Sequence, residues 1–167
     1  MYQIHATKKL LDRVKPVLDR ERASSTTLLG DWYATALFWK PQVALLVNES
    51  TLLPVLMFLA PAASLSTRFP AQLARTLSAH GVSQNFIEIE LAQMLELNFA
   101  KTANRSVVGT MNEFTYSADF YREEFGAGDL LGIALRLSQT PCSPLYDRGV
   151  TPERELKRII SAALPFK

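Results

Sequence analysis

The sequence predicts an α+β fold: a small antiparallel sheet covered by helices, in a single domain spanning residues 1–167. Three observations lead there. Apolar runs of strand length succeed one another between residues 33 and 58, joined by short polar turns. Later segments repeat apolar residues at helical spacing. A content of 48% hydrophobic against 20% charged residues supplies a sizeable core and argues against a disordered chain.

In chain order, "YQIHA" at residues 2–6 reads as a first strand. "TKKLLDRV" at 7–14 reads as a helix, with Thr7 as its cap and Leu10, Leu11 and Val14 on one face. Pro16 ends or bends it. Residues 19–31 are polar and turn-rich and read as a loop. "YATALFW" at 33–39 is apolar on both sides, which allows burial on both faces. "KPQ" makes a turn, "VALLV" at 43–47 a second strand of this group, "NES" a turn, and "TLLPVLMF" at 51–58 a third strand. Pro54 has no N–H to give a ladder, so this last strand belongs at an edge or at a bulge. Such short connections favour an antiparallel meander, which the first strand is expected to join.

Helical periodicity then takes over. Leu65, Phe69, Leu73 and Leu77 recur at four-residue intervals, and Gly81 offers a stop. "SQNFIEIELAQML" at 83–95 follows, with Ser83 as cap. "ELNFAK" at 96–101 fits either a fourth strand or the frayed end of that helix. From Asn104 onward, Val107, Met111, Phe114, Ala118, Tyr121 and Phe125 form a helical stripe predicted to lie on the sheet. Gly126 and Gly128 close it. "DLLGIALRLSQTPCSPLYDRGV" reads as short apolar runs and turns. "TPERELKRIISAAL" is a helix with Thr151 as cap and Pro152 at its first position, and Leu156, Ile159, Ile160 and Ala163 as its apolar face.

Composition excludes several function classes. A formal charge of +2 is too weak to imply nucleic acid by itself. The N-terminal basic residues Lys8, Lys9, Arg13, Lys15, Arg20 and Arg22 are offset by Asp12, Asp19 and Glu21 and read as a solvated face. The longest apolar run, residues 52–65, is broken by Pro54 and Pro61 and is too short to span a bilayer. With no apolar leader at the N-terminus and a single cysteine, Cys142, the expectation is a soluble cytoplasmic protein without a membrane partner. No cofactor motif is present, and no ligand pair has zinc-type spacing. A nucleophilic Cys142 would need a base, and nothing in the sequence brings His5 or His80 to it.

The most informative stretch is "AKTANRSVVGTMNEF" at 100–114. It sets Lys101, Thr102, Arg105 and Ser106 at a helix entrance, where free N–H groups and the dipole favour an anion. Arg105, Gly109, Asn112, Tyr116, Asp119 and Glu123 fall opposite the apolar stripe. An exposed glycine within a helix costs about 1 kcal/mol against alanine, so close approach of a ligand or backbone over Gly109 would explain it. The candidate ligand-binding set is therefore Lys101, Thr102, Arg105, Ser106, Gly109 and Asn112. The structural alternative is that Thr102 or Asn104 caps the helix, Arg105 pairs with an acid, and Gly109 admits a neighbouring helix.

"HATKKLL", "KTANRSVVGTMNEF" and "LSQTPCSPL", with "LLVNESTLLPVLM" between the first two, together resemble a family of small bacterial proteins known only as a domain of unknown function. The resemblance covers most of the chain and departs from the family pattern at Ala6, where a cysteine is expected, at Thr35 in place of asparagine, and at Ser143 in place of glycine. It implies a compact bacterial α+β protein and supplies no activity, ligand or catalytic residue.

The leading functional expectation is a non-enzymatic binding or regulatory module whose ligand is an acidic protein segment or small anion. The rivals are an enzyme of unknown class using the same anion site, with Cys142 or His5, and a weak nucleic-acid binder resting on charge alone.

Overall fold

The computed structural model describes residues 1–18, 24–126 and 128–164; Arg20, Arg22 and the first part of the loop expected at 19–31 lie outside them. The strands are β1 (Tyr2–Ala6), β2 (Trp32–Leu37), β3 (Val43–Asn48), β4 (Pro54–Phe58) and β5 (Leu97–Lys101). The α-helices are α1 (Lys8–Val14), α2 (Leu65–Ala79), α3 (Gln84–Ala92), α4 (Arg105–Phe125), α5 (Leu130–Leu137) and α6 (Pro152–Ala163). No helix among the described residues is long and apolar enough to cross a membrane.

The strands form one sheet in the order β4-β3-β2-β1-β5. The meander β2-β3-β4 is antiparallel, with Leu37 opposite Val43 and Val43 opposite Phe58. Pro54 opens the edge strand β4, where a missing N–H is tolerated. The α+β class holds, but the sheet is mixed rather than wholly antiparallel. β1 runs parallel to β2 and also to β5, with Ala6 opposite both Ala34 and Lys101. The physical reason is connection length. Residues 7–31 separate β1 from β2, enough chain for a crossover, whereas antiparallel neighbours need only a tight turn.

Both faces of the sheet are covered. On one, Ile4, Trp32, Ala34, Leu46 and Val55 meet Leu10 of α1, Phe69 and Leu73 of α2, Phe86 of α3 and Leu156 of α6. On the other, Tyr33, Leu37, Leu45 and Leu56 meet Val107, Met111, Phe114 and Ala118 of α4 and Ile133 and Leu137 of α5. Alternation along each strand sends neighbours to opposite cores. Trp32 and Trp39 are both core residues.

Three helical expectations need correction. The α4 stripe is buried only from Val107 to Ala118; Tyr121 is half-buried and Phe125 is 41% exposed. A helix of 21 residues extends about 31 Å, while a six-residue strand covers about 20 Å, so α4 outruns the sheet. The segment read as mixed apolar runs and turns contains α5, capped by Asp129, whose carboxylate accepts the Gly132 N–H at 2.9 Å. The α6 face also fades outward: Leu156 is buried, Ile159 and Ile160 are half-buried and Ala163 is exposed.

Candidate functional site

β1 and β5 are adjacent and parallel, yet the chain leaves them in opposite directions. β1 passes into α1 on the first face, and β5 into α4 on the second. Adjacent parallel strands whose connections diverge leave a crevice beyond their carboxyl ends, a recurrent place for ligands in sheets flanked by helices. The residues at these ends are His5 and Lys101, followed by Thr7, Thr102 and Asn104.

His5 lies on the second face of β1 and is almost fully buried. Its Nδ1 is 3.2 Å from the Lys101 carbonyl oxygen and its Nε2 is 3.0 Å from Asp31 Oδ2. Both partners are acceptors, so a neutral ring, with one N–H, can donate to only one of them. The Tyr33 ring stacks on the imidazole, with centroids 4.7 Å apart at 20°. The Tyr33 hydroxyl accepts the Asn104 N–H at 2.9 Å. Burial, with the negative charges of Glu49 and Asp31, raises the phenol pKa despite that donor, so Tyr33 stays neutral.

Asp31 and Glu49 are set by the turns around β2 and β3. The Glu49 N–H donates to the Asp31 carbonyl at 3.0 Å. Asn48 is the local organiser. Its amide donates to the carbonyls of Leu29 and Asp31, and its Oδ1 accepts from Ser50 N, Thr51 N and Thr51 Oγ1. Asn104 Nδ2 stands 3.5 Å from Glu49 Oε1. His5, Asp31 and Glu49 each bring one ligand atom within 4.8 Å of the others. Beside them the hydroxyls of Thr7 and Thr35 meet at 2.8 Å.

The six residues singled out in the sequence lie along the entrance and outer face of α4. Lys101 ends β5, and its carbonyl is taken by His5. Arg105 begins α4, and the ion pairs among the described residues include neither cation. Asn104 is the cap: its Oδ1 accepts Ser106 N at 3.0 Å and Val107 N at 3.3 Å, so those donors are already used. Thr102 is half-buried; Ser106, Gly109 and Asn112 are exposed. Among the described residues nothing lies within 4 Å of the place a Gly109 Cβ would occupy, so no described helix accounts for that glycine. Farther along, Tyr116 is 81% and Phe120 65% exposed.

The cluster around His5 escapes a linear reading because its members are far apart in the chain. One signal was present: "HATKKLL", "LLVNES" and "KTANRS" all carry the resemblance, and all three end at this crevice. Cys142 is elsewhere, 1% exposed in the second core, with its thiol on the Thr140 carbonyl at 3.3 Å. Burial, aided by the charge of Glu113, pushes its pKa up to about 11. A thiol held this far from ionisation is a poor nucleophile.

A family model described as a domain of unknown function, DUF6933, matches residues 3–155. The chain belongs to this family. No curated protein and no solved structure matches it. The DUF6933 match takes in all of the sheet except Tyr2, together with the His5 crevice and all of α4.

Proposed function

We propose that this DUF6933 chain is a non-enzymatic binding or regulatory module of the bacterial cytoplasm. Its ligand is an acidic segment of a partner protein, laid along the outer face of α4. The observation that carries this reading is Gly109, exposed in mid-helix with open space above it. Glycine there costs helix stability and answers to no neighbour among the described residues, so it suits the close approach of an outside backbone. Arg105 lies one turn before it; Asn112 and Tyr116 follow at helical spacing on the same side. Lys101 and Arg105, without carboxylate partners among the described residues, supply the complementary charge. Tyr116 and Phe120 supply exposed aromatic anchors of the kind that dominate binding energy at protein interfaces.

The test replaces Asn112 with a photo-crosslinking residue and irradiates cells that produce the protein. The expected result is a discrete adduct whose crosslinked segment is acidic, lost when Arg105→Glu is added and the fold is intact by circular dichroism. An absent adduct, or one undiminished by Arg105→Glu, overturns the reading. A parallel thermal-shift series with inorganic phosphate and citrate separates the two ligand classes. Stabilisation that requires Arg105 would assign the site to small anions instead. An enzyme built on the same site remains the competing reading, and the burial of Cys142 weighs against its thiol form. Nucleic-acid binding rests on charge alone.

A further inference from the structure

We propose that His5, Asp31 and Glu49 form a binding site for one divalent transition-metal ion. The inference goes beyond the docking face on α4 and does not depend on it.

The donor set is one imidazole nitrogen and two carboxylates, brought from the end of β1, the lead into β2 and the turn after β3. Three protein ligands with a position left open is the coordination of a metal that meets a further group. Donor atoms around a tetrahedral ion with bonds of about 2.1 Å stand roughly 3.4 Å apart. His5 Nε2 and Asp31 Oδ2, at 3.0 Å, are already near that spacing. All three donors lie within 4.8 Å, so a change of side-chain torsion at half-buried Glu49 completes the set.

The orientation of His5 is the second, independent observation. Its side chain is nine-tenths buried, and its Nδ1 lies 3.2 Å from the Lys101 carbonyl oxygen. With a metal ion on Nε2, the Nδ1–H would donate to that carbonyl, the kind of outer partner that orients metal-binding histidines. Tyr33 holds the plane of the ring by stacking. Both ring nitrogens face acceptor oxygens, and a neutral imidazole has a single N–H to share between them. A metal ion on Nε2 would leave that hydrogen to Nδ1 and satisfy both contacts. The segments that carry the carboxylates are held in place: the Glu49 N–H donates to the Asp31 carbonyl, Asn48 donates to the same carbonyl, and Asn104 Nδ2 stands 3.5 Å from Glu49 Oε1.

Donor chemistry narrows the metal. Imidazole with two carboxylates suits Zn(II), Mn(II), Fe(II) or Co(II), whereas Mg(II) and Ca(II) prefer oxygen alone.

The experiment uses the full chain, stripped with EDTA and desalted. Zn(II), Mn(II), Co(II) and Mg(II) are titrated separately by calorimetry, and Co(II) also by visible absorption. The expected result is one ion per chain for Zn(II), Mn(II) and Co(II), with Mg(II) at least tenfold weaker. Glu49→Gln and Asp31→Asn each weaken Co(II) binding by tenfold or more, and His80→Gln leaves it unchanged. The His80 control matters because its Nδ1 lies 3.8 Å from Glu153 Oε1, a second imidazole–carboxylate pair. Wild-type protein provides a readout that needs no variant: substoichiometric Mn(II) should broaden the His5 ring resonances ahead of those of His80. Absence of saturable uptake, uptake undiminished in both carboxylate variants, or broadening centred on His80 overturns the proposal. The first of these outcomes would mean that His5 and Asp31 meet as a hydrogen-bonded pair only.

Discussion

Tyr33 and Asn104 join the sheet to the start of α4: the phenol oxygen of the strand residue accepts the backbone N–H of the helix cap at 2.9 Å. The same tyrosine stacks on His5, so one side chain fixes both the crevice and the helix entrance. Tyr33→Phe keeps the stacked ring and removes only the acceptor. It should cost about 1 kcal/mol in urea unfolding, the usual net value of one such bond. Amide exchange at Asn104 should speed up with it. Unchanged exchange there would mean that another group holds the cap.

Gly109→Ala should stabilise the isolated chain by about 1 kcal/mol, since alanine is the better helix former and its methyl group meets open space. The φ angle at this position imposes no left-handed strain. In the crosslinking experiment the same methyl group should weaken the adduct. A variant that is more stable and binds less well would separate this glycine's role from folding. A destabilised variant would point to an intrachain role that the open space does not reveal.

The sequence announces its local structure well. "KPQ" and "NES" separate the meander strands as turn chemistry should, and Pro54 goes to an edge. Ser83, Asn104 and Thr151 each accept a backbone N–H at a helix start. Hidden features depend on partners distant in the chain. Nothing in "YQIHA" says that it will lie parallel between β2 and β5, because a strand's apolar pattern records its burial and not its neighbour. α5 is hidden because it is only eight residues long: Leu130, Ile133, Ala134 and Leu137 do recur at helical spacing, but Leu131 and Leu135 make its other side apolar as well. The placement of Lys101, Arg105, Gly109 and Asn112 could be read from the sequence because one helix carries or adjoins them all. His5 and Asp31, 26 residues apart, come together only through the parallel join of β1 to β2.

Cys142 should resist alkylation in the folded protein. With a pKa of about 11, only about one thiol in a thousand is ionised at pH 8. Burial at 1% exposure slows access further. Iodoacetamide at pH 8 should therefore react at least about 100-fold more slowly in buffer than in 8 M urea, followed by mass spectrometry. Comparable rates in the two conditions would restore the thiol reading of this chain.

His80 should make the fold acid-sensitive. It closes α2 with its side chain buried, and among the described residues neither ring nitrogen has a hydrogen-bond partner. The groups facing it are Glu153, which favours the imidazolium, and Lys157, which opposes it; burial outweighs both and lowers the pKa below the ordinary 6.5. The unfolded chain therefore binds a proton at a higher pH than the folded one. Where the unfolded state holds more protons, stability rises with pH, so this contribution is complete above pH 6.5 and is lost as pH falls toward the folded value. Urea unfolding at pH 7.5 and pH 5.5 should show a fall in stability that is smaller in His80→Gln. Glu153→Gln should deepen the wild-type fall, because it removes the one nearby charge that helps the buried ring accept a proton. Equal pH slopes in wild type and His80→Gln would mean that other groups set the acid limit of the fold.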